Sequence, residues 1–260
     1  MFKELIVPDS PASSSRPCPV CTGARTEPFV EKDGFKFRKC PSCGYIFCHP
    51  RPSQAELGEH YAVSEGNGGI RRDFYPKASS RGRRALFNAV KLLPHVWGKR
   101  ALDLGCGGGF VVGGMKTVGA TAAVGIDINP NAIEYARAHF PKCEFHCGTF
   151  DDFSGGKLAK FGFVYSSEVI EHVEDVEAYM RFLAEMTAPG AKVFITTPDI
   201  ASGQVPEDVT GWEMFSPPVH IQFFTQATLA HLFGRFGFTP VKRVPDRGGA
   251  GLKMLFRKVS

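Results

Sequence analysis

The sequence predicts an α/β fold, a seven-stranded and mostly parallel sheet with helices on both faces, preceded by a small cysteine-rich ribbon. Three observations carry that reading. From Arg100 onward, short apolar runs alternate with helical patterns, as in a sheet whose crossovers are helices. Ala101-Leu102-Asp103-Leu104 runs straight into a nearly all-glycine turn, Gly105-Cys106-Gly107-Gly108-Gly109. Upstream, the pairs Cys18-x-x-Cys21 and Cys40-x-x-Cys43 are separated by eighteen residues.

With 260 residues the chain can hold one sizeable domain and a small appendage. Apolar content of 43% and charged content of 22% match a globular protein and argue against disorder. The net charge of +5 is mild. Its basic residues fall in scattered pairs (Arg71-Arg72, Arg83-Arg84, Lys99-Arg100), the pattern of solvated faces, so nucleic acid is not the expected partner. No apolar run approaches the ~18 residues that cross a bilayer. The apolar core Leu5-Ile6-Val7 is too short for a signal peptide, which makes the cytoplasm the expected compartment.

Residues 1–17, rich in Pro and Ser, predict a flexible N-terminus. Residues 18–52 predict a zinc ribbon. Each cysteine pair sits on a tight turn that can aim two thiolates at one tetrahedral ion. Four thiolates close the coordination shell, so Zn2+ is expected at Cys18, Cys21, Cys40 and Cys43 in a structural role. Between the pairs, Pro28 to Lys39 has hairpin character around Asp33-Gly34, and Pro50-Arg51-Pro52-Ser53 ends the unit. Cys48, Cys106, Cys143 and Cys147 are expected as small buried apolar residues.

Residues 53–98 predict a helical connector or lid, with helices over Gln54 to Tyr61 and Arg81 to Leu93 and a glycine-rich break at Gly66 to Gly69. Residues 99–260 predict the main domain. Strands are expected near 100–104, 122–127, 143–147, 162–166, 191–197, 238–244 and 251–257, and helices over 130–139, 175–187 and 225–236. The irregular stretch 198–219 contains Trp212, Met214 and Phe215; its length and apolar content predict a substrate lid.

The glycine turn excludes two familiar loops. No Gly-Lys-Ser/Thr follows Gly109, and no register gives G-x-G-x-x-G, so a pyrophosphate grip is not expected. The strand Ala122 to Ile126 ends at Asp127, about twenty residues on, where a carboxylate can accept from ribose hydroxyls. Gly105, Asp127, Thr149 and Ser166 then fall at strand tips along one sheet edge, where ligands of such sheets bind. Together these features predict a nucleoside-like cofactor without phosphate.

Asp103 to Gly109 resembles the first motif of class I S-adenosylmethionine-dependent methyltransferases, and Val124 to Asn129 resembles their second. The resemblance continues through Ser166 to Val173, Pro189-Gly190 and His220 to Thr225, over roughly residues 80 to 258. It is similar in detail to the subgroup containing the ubiquinone-biosynthesis O-methyltransferases. The resemblance implies a Rossmann-like fold, S-adenosyl-L-methionine as cofactor, and cofactor contacts from Asp103, Gly105, Gly107, Asp127, Ile128, Thr149, Phe150 and Ser166. One departure stands out: Gly148-Thr149-Phe150 occupies the place where the subgroup often carries Gly-Asp, leaving a threonine hydroxyl to accept from the adenine amino group.

Methyl transfer from a sulfonium needs alignment, which alone can supply ~7–11 kcal/mol, and a way to take the acceptor's proton. If a helix begins near Glu168, then Glu168, Glu171 and His172 share one face. With His220 they can hold a divalent cation such as Mg2+ that lowers the acceptor hydroxyl's pKa. That pattern also resembles the metal site of small-RNA 2′-O-methyltransferases. The alternative is metal-free: acidic residues favoured by a helix dipole, with His220 as general base. In either case His220, Glu171 and His172 are the expected catalytic residues. The expected acceptor is a small molecule or a sugar/glycan, methylated on oxygen. The alternative is an RNA methyltransferase whose ribbon grips nucleic acid. Within the ribbon Arg25, Lys32, Lys36, Arg38 and Lys39 are opposed by Glu27, Glu31 and Asp33, which weighs against it.

Overall fold

The computed structural model describes residues 17–52, 78–156, 158–246 and 249–259. Residues 1–16, the predicted helix over Gln54 to Tyr61 and the break at Gly66 to Gly69 lie outside the described residues.

The first three strands are β1 (Glu27–Lys32), β2 (Phe35–Lys39) and β3 (Ile46–Cys48). A two-residue turn joins β1 to β2, and its residues Asp33 and Gly34 both have positive φ, 52° and 81°. That conformation suits Asp-Gly and matches the twist of the strands it connects. Next comes α1 (Ala78–Val96), longer at both ends than the expected Arg81 to Leu93. The alternating part follows as β4 (Arg100–Leu104), α2 (Phe110–Thr117), β5 (Ala122–Asp127), α3 (Pro130–His139), β6 (Glu144–Cys147), α4 (Phe150–Phe153), β7 (Phe161–Ser167), α5 (Val176–Met186) and β8 (Thr187–Pro198). After the irregular segment come β9 (Gln222–Phe223), α6 (Gln226–Arg235), β10 (Phe238–Val244) and β11 (Gly251–Lys258).

Seven strands form one sheet in the order β10-β11-β8-β7-β4-β5-β6. The pairs from β8 through β7, β4 and β5 to β6 are parallel, while β11 pairs antiparallel with both β8 and β10. Parallel strands covered by helices on both sides must be apolar on both faces, and these are. Leu102 and Leu104 of β4 pack in one core with Tyr179, Leu183 and Met186 of α5 and with Leu229 and Phe233 of α6. Ala101 packs in a second core with Leu92 and Val96 of α1, Met115 of α2 and Ile133 of α3.

The ribbon joins this body through a strand that sequence pattern did not predict. β9, two residues long, pairs antiparallel with β3 (Ile46↔Phe223, Phe47↔Gln222) and completes a four-stranded sheet. Cys18, Val20, Tyr45 and Phe47 pack in the same core as the α5 and α6 side chains. The 198–219 segment is irregular, as expected, apart from a 3-10 turn at Val209–Gly211. Its Trp212 and Phe215 are buried with Phe37 and Phe223 of the ribbon sheet. Among the described residues no helix is long and apolar enough to cross a membrane.

Candidate active site

At the tip of β4 the chain turns on glycines with positive φ: Gly105 at 78°, Gly107 at 49° and Gly109 at 78°. Two of them are packed against side chains. An added Cβ at Gly105 would stand 2.3 Å from Val169 Cγ2, and one at Gly109 would stand 2.8 Å from the Phe145 ring. At Gly107 it would meet nothing within 4 Å, so this is where a ligand can approach the main chain closely. Asp127, at the tip of β5, is fixed beside it: Oδ2 accepts from Gly107 N at 2.7 Å and Oδ1 from Asn129 N at 2.9 Å. Each oxygen keeps a lone-pair direction for a further donor.

Asp103 is only 2% exposed. Burial, and then the charge of Asp127, pushes its carboxyl up to about 8. Ile128 is 62% exposed next to Asp127, an apolar surface at the crevice edge. At the tip of β6 the Thr149 main-chain N–H and hydroxyl both donate to Asp152 Oδ2, at 2.7 and 2.8 Å. The Thr149 hydroxyl oxygen accepts from the Asp152 main-chain N–H in a capping box and keeps one further lone pair. Phe150 and Ser166 belong to the same tips, and both side chains contact α5. The Phe150 ring packs on Tyr179 and Phe182, and the buried Ser166 hydroxyl accepts from the Tyr179 hydroxyl at 3.0 Å.

The acidic and imidazole groups gather next door, without the expected helix. Glu168 has a left-handed φ of 54°, residues 170–172 form a turn, and α5 starts only at Val176. Asp175 caps that helix, its Oδ1 accepting from Glu177 N at 2.9 Å and Ala178 N at 3.0 Å, which fixes the start eight residues after Glu168. Glu168 therefore does not share a helical face with Glu171 and His172. Its Oε1 accepts from the Thr196 hydroxyl at 2.7 Å.

The turn itself brings Glu171, His172 and His220 together, with one ligand atom of each within 4.8 Å of the others. Glu171 is fully buried. Its Oε2 accepts from the Thr197 hydroxyl at 3.0 Å, whereas its Oε1 has no hydrogen-bond partner and lies 3.8 Å from His172 Nε2. Burial, and then Glu168, raises its carboxyl well above the ordinary range. His172 Nδ1 donates to Val219 O at 2.7 Å and His220 Nδ1 to Met214 O at 2.6 Å. Each imidazole is thus left with a lone pair on Nε2. Burial lowers both imidazoles, His172 to about 4, so both are neutral near neutral pH.

At the other end of the chain Cys18, Cys21, Cys40 and Cys43 form one cluster. The Cys18–Cys43 and Cys21–Cys40 sulfur separations are 3.7 and 3.5 Å. Four thiolates around a tetrahedral zinc with ~2.3 Å bonds stand about 3.8 Å apart, so the cluster fits such an ion. Cys48 is outside it, buried in β3.

A profile of the methyltransferase-domain family matches residues 78–243, more than half of the sequence. The chain belongs to this methyltransferase family. The ubiquinone biosynthesis O-methyltransferase of Aromatoleum aromaticum is 35% identical over 104 residues, which cover 38% of this chain and 44% of that protein. The match thus spans under half the length of the curated relatives. An S-adenosylmethionine dependent methyltransferase from Mesorhizobium loti superposes with a TM-score of 0.53 at 23% identity, over 66% of this chain and 97% of that one. The 1,6-didemethyltoxoflavin-N1-methyltransferase of Burkholderia thailandensis, solved with S-adenosylhomocysteine bound, does so with a TM-score of 0.57 at 19% identity, over 90% and 100%. These two likenesses are of fold.

In this member of the family a cavity of about 990 Å³ lies between α1 and strands β7, β8, β10 and β11. Glu168 and Met214 line it, whereas the glycine turn and Asp127 do not, so it adjoins the crevice rather than containing it. Sequence reasoning missed the groups that hold the site in place. Gln222 Nε2 donates to Ile170 O and to Val173 O (3.0 Å), bracketing the Glu171-His172 turn, while its Oε1 accepts from Tyr45 of the ribbon. Gln222 was visible in the His220 to Thr225 motif, but nothing in the sequence marked its partners. The carbonyls that fix the histidine tautomers carry no sequence signal at all.

Proposed function

We propose that this chain transfers a methyl group from S-adenosylmethionine to an oxygen of a small-molecule or sugar acceptor. The observation that carries the reading is the pairing of Gly107 with Asp127, an open glycine beside a fixed carboxylate at adjacent parallel strand tips. Asp127 would hold the ribose hydroxyls, Ile128 would cover an adenine face, and the Thr149 oxygen would accept from the adenine amino group. The methyl carbon passes from sulfur to the acceptor oxygen as the C–S bond breaks. His220 Nε2, which carries the free lone pair, takes the acceptor's proton. Glu171 and His172 orient that end of the acceptor.

The same three side chains are a fitting donor set for a divalent cation. Glu171 Oε1, lacking a protein partner, and the two Nε2 atoms would hold it. When bound, such an ion lowers the pKa of a hydroxyl beside it. Mg2+ belongs to this reading, although two imidazoles suit a transition metal better. Cys18, Cys21, Cys40 and Cys43 would hold a structural zinc. The division into ribbon (18–52), connector (53–98) and catalytic domain (99–260) is part of the same proposal, as is work in the cytoplasm, where thiols stay reduced.

Glu171→Ala and His220→Ala should each abolish turnover in a metabolite screen with labelled cofactor, yet leave S-adenosylmethionine affinity within a few-fold. Loss of affinity in both would defeat the acceptor-activation role. Asp127→Ala should remove cofactor binding in calorimetry. Turnover indifferent to EDTA and to added Mg2+ would remove the cation and leave His220 as the base.

A further inference from the structure

The cavity beside β7 is lined by four cationic side chains, three of which have no carboxylate partner among the described residues. Arg84 and Lys91 line it from α1, Lys242 from β10 and Lys253 from β11. Lys253 is neutralised by Asp246 at 2.6 Å. For Arg84, Lys91, Lys242 and the neighbouring Lys192, no carboxylate lies within ion-pair distance among the described residues, although Lys91 Nζ lies 4.1 Å from the centre of the Phe87 ring. Three carboxylates also line it: Asp246 is taken by Lys253, Glu168 accepts from the Thr196 hydroxyl, and Glu213 has no ion-pair partner among the described residues. His95 reports the resulting field. It lies 3.3 Å from Lys192 Nζ, and burial, then Lys192, Lys99 and Lys242, lower its pKa.

Sheet register fixes how these cations stand relative to the strand tips. Tyr165, Phe194, Leu255 and Lys242 form one row across the sheet, and Ser167, Thr196, Lys253 and Val244 form the next row toward the tips. Lys242 is therefore one row, about 7 Å along the strands, below Ser167 and the adjoining Glu168, and three strands, about 14 Å, across the sheet from them. Between them the floor is aromatic, with the Tyr165 and Phe194 rings stacked at 5.6 Å and 12°.

We propose that this cavity takes an acceptor with a flat ring and a fixed anionic group, a phosphate ester or a carboxylate, held by Lys91 and Lys242 while the end to be methylated faces Glu168. Cations gathered in a half-enclosed cavity repel one another, and an oxyanion relieves that repulsion while accepting charge-assisted hydrogen bonds. The inference deepens the methyl-transfer reading and rests on it.

Calorimetry on the full chain tests it, with S-adenosylhomocysteine titrated first and phenyl phosphate and benzoate titrated separately afterwards. Phenyl phosphate binding that weakens about tenfold or more in Lys91→Ala/Lys242→Ala supports the proposal, because two charge-assisted contacts are lost. Lys142→Ala, which removes the same charge near β6 at the opposite edge of the sheet, should leave it unchanged. Benzoate binding with the same lysine dependence supports the anion site and names a carboxylate. An unchanged affinity in the double variant, or an equal loss in Lys142→Ala, overturns it. If S-adenosylhomocysteine binds and neither aryl anion does, the anionic acceptor is wrong and the methyl-transfer reading stands. If only the aryl anions bind, through the two lysines, the anion site stands and the methyl-transfer reading falls.

Discussion

Asp103 shows how one residue makes the crevice responsive to pH. Its carboxyl ordinarily titrates at 3.8 and is raised to about 8 by burial and by Asp127. Between those values the folded chain holds a proton that the unfolded chain has released, so this contribution to stability is present at low pH and is lost as pH rises toward 8. Asp103→Asn should flatten that part of the pH dependence in urea denaturation; an unchanged slope would assign the titration to another group. Gly105 is constrained by space as well as backbone angle. Gly105→Val puts a Cβ 2.3 Å from Val169 Cγ2 at a φ of 78°, and should cost roughly 1–3 kcal/mol in stability along with cofactor affinity. The turn at Gly105 and the place of Asp127 at a strand end were legible because turn chemistry and strand-end position are local. The contacts of Ser166 and Phe150 with Tyr179 and Phe182 were not, because those two side chains arrive from another element.

At the scale of elements, α3, α6, β4, β5 and β10 fall within a residue of their expected bounds, since apolar periodicity is a property of consecutive residues. The turn at Glu168 is the exception. Acidic residues at helical spacing read as a first helical turn, but Asp175 provides the actual cap, and the Glu171-His172 turn is held by Gln222 and Thr197 instead. Asp175→Ala should cost about 1 kcal/mol in denaturation without moving turnover, which would separate the cap from the site. The ribbon is the second such case. Its cysteine spacing marked the cluster, yet its fourth strand comes from residues 222–223. Cys40→Ser should lower bound zinc below one per chain and, through the β3–β9 pairing, reduce turnover more than S-adenosylhomocysteine affinity. Equal loss of both would mean that the ribbon supports the whole fold.

Across the whole molecule, Gln222 links three parts. It joins the ribbon's Tyr45 to the carbonyls of Ile170 and Val173, and all of these partners are buried or nearly so. Gln222→Ala leaves those groups unpaired, at about 1–3 kcal/mol each, so a loss near 3 kcal/mol or more is expected in denaturation. Tyr45→Phe, which removes one hydroxyl, should cost about 1 kcal/mol. If the two variants are equally mild, the ribbon and the catalytic turn are not coupled through this residue.

The sequence by itself determined the alternating sheet, the glycine turn with its distant aspartate, and the four-cysteine cluster, because each depends on spacing along the chain. Only the tertiary structure decided that Glu168 shares no helical face with Glu171, that His172 and His220 present Nε2, that lysines from α1, β10 and β11 line one cavity, and that the ribbon shares a sheet with β9. Those outcomes depend on contacts between residues up to 177 positions apart, as Tyr45 and Gln222 are, and local pattern carries no record of them.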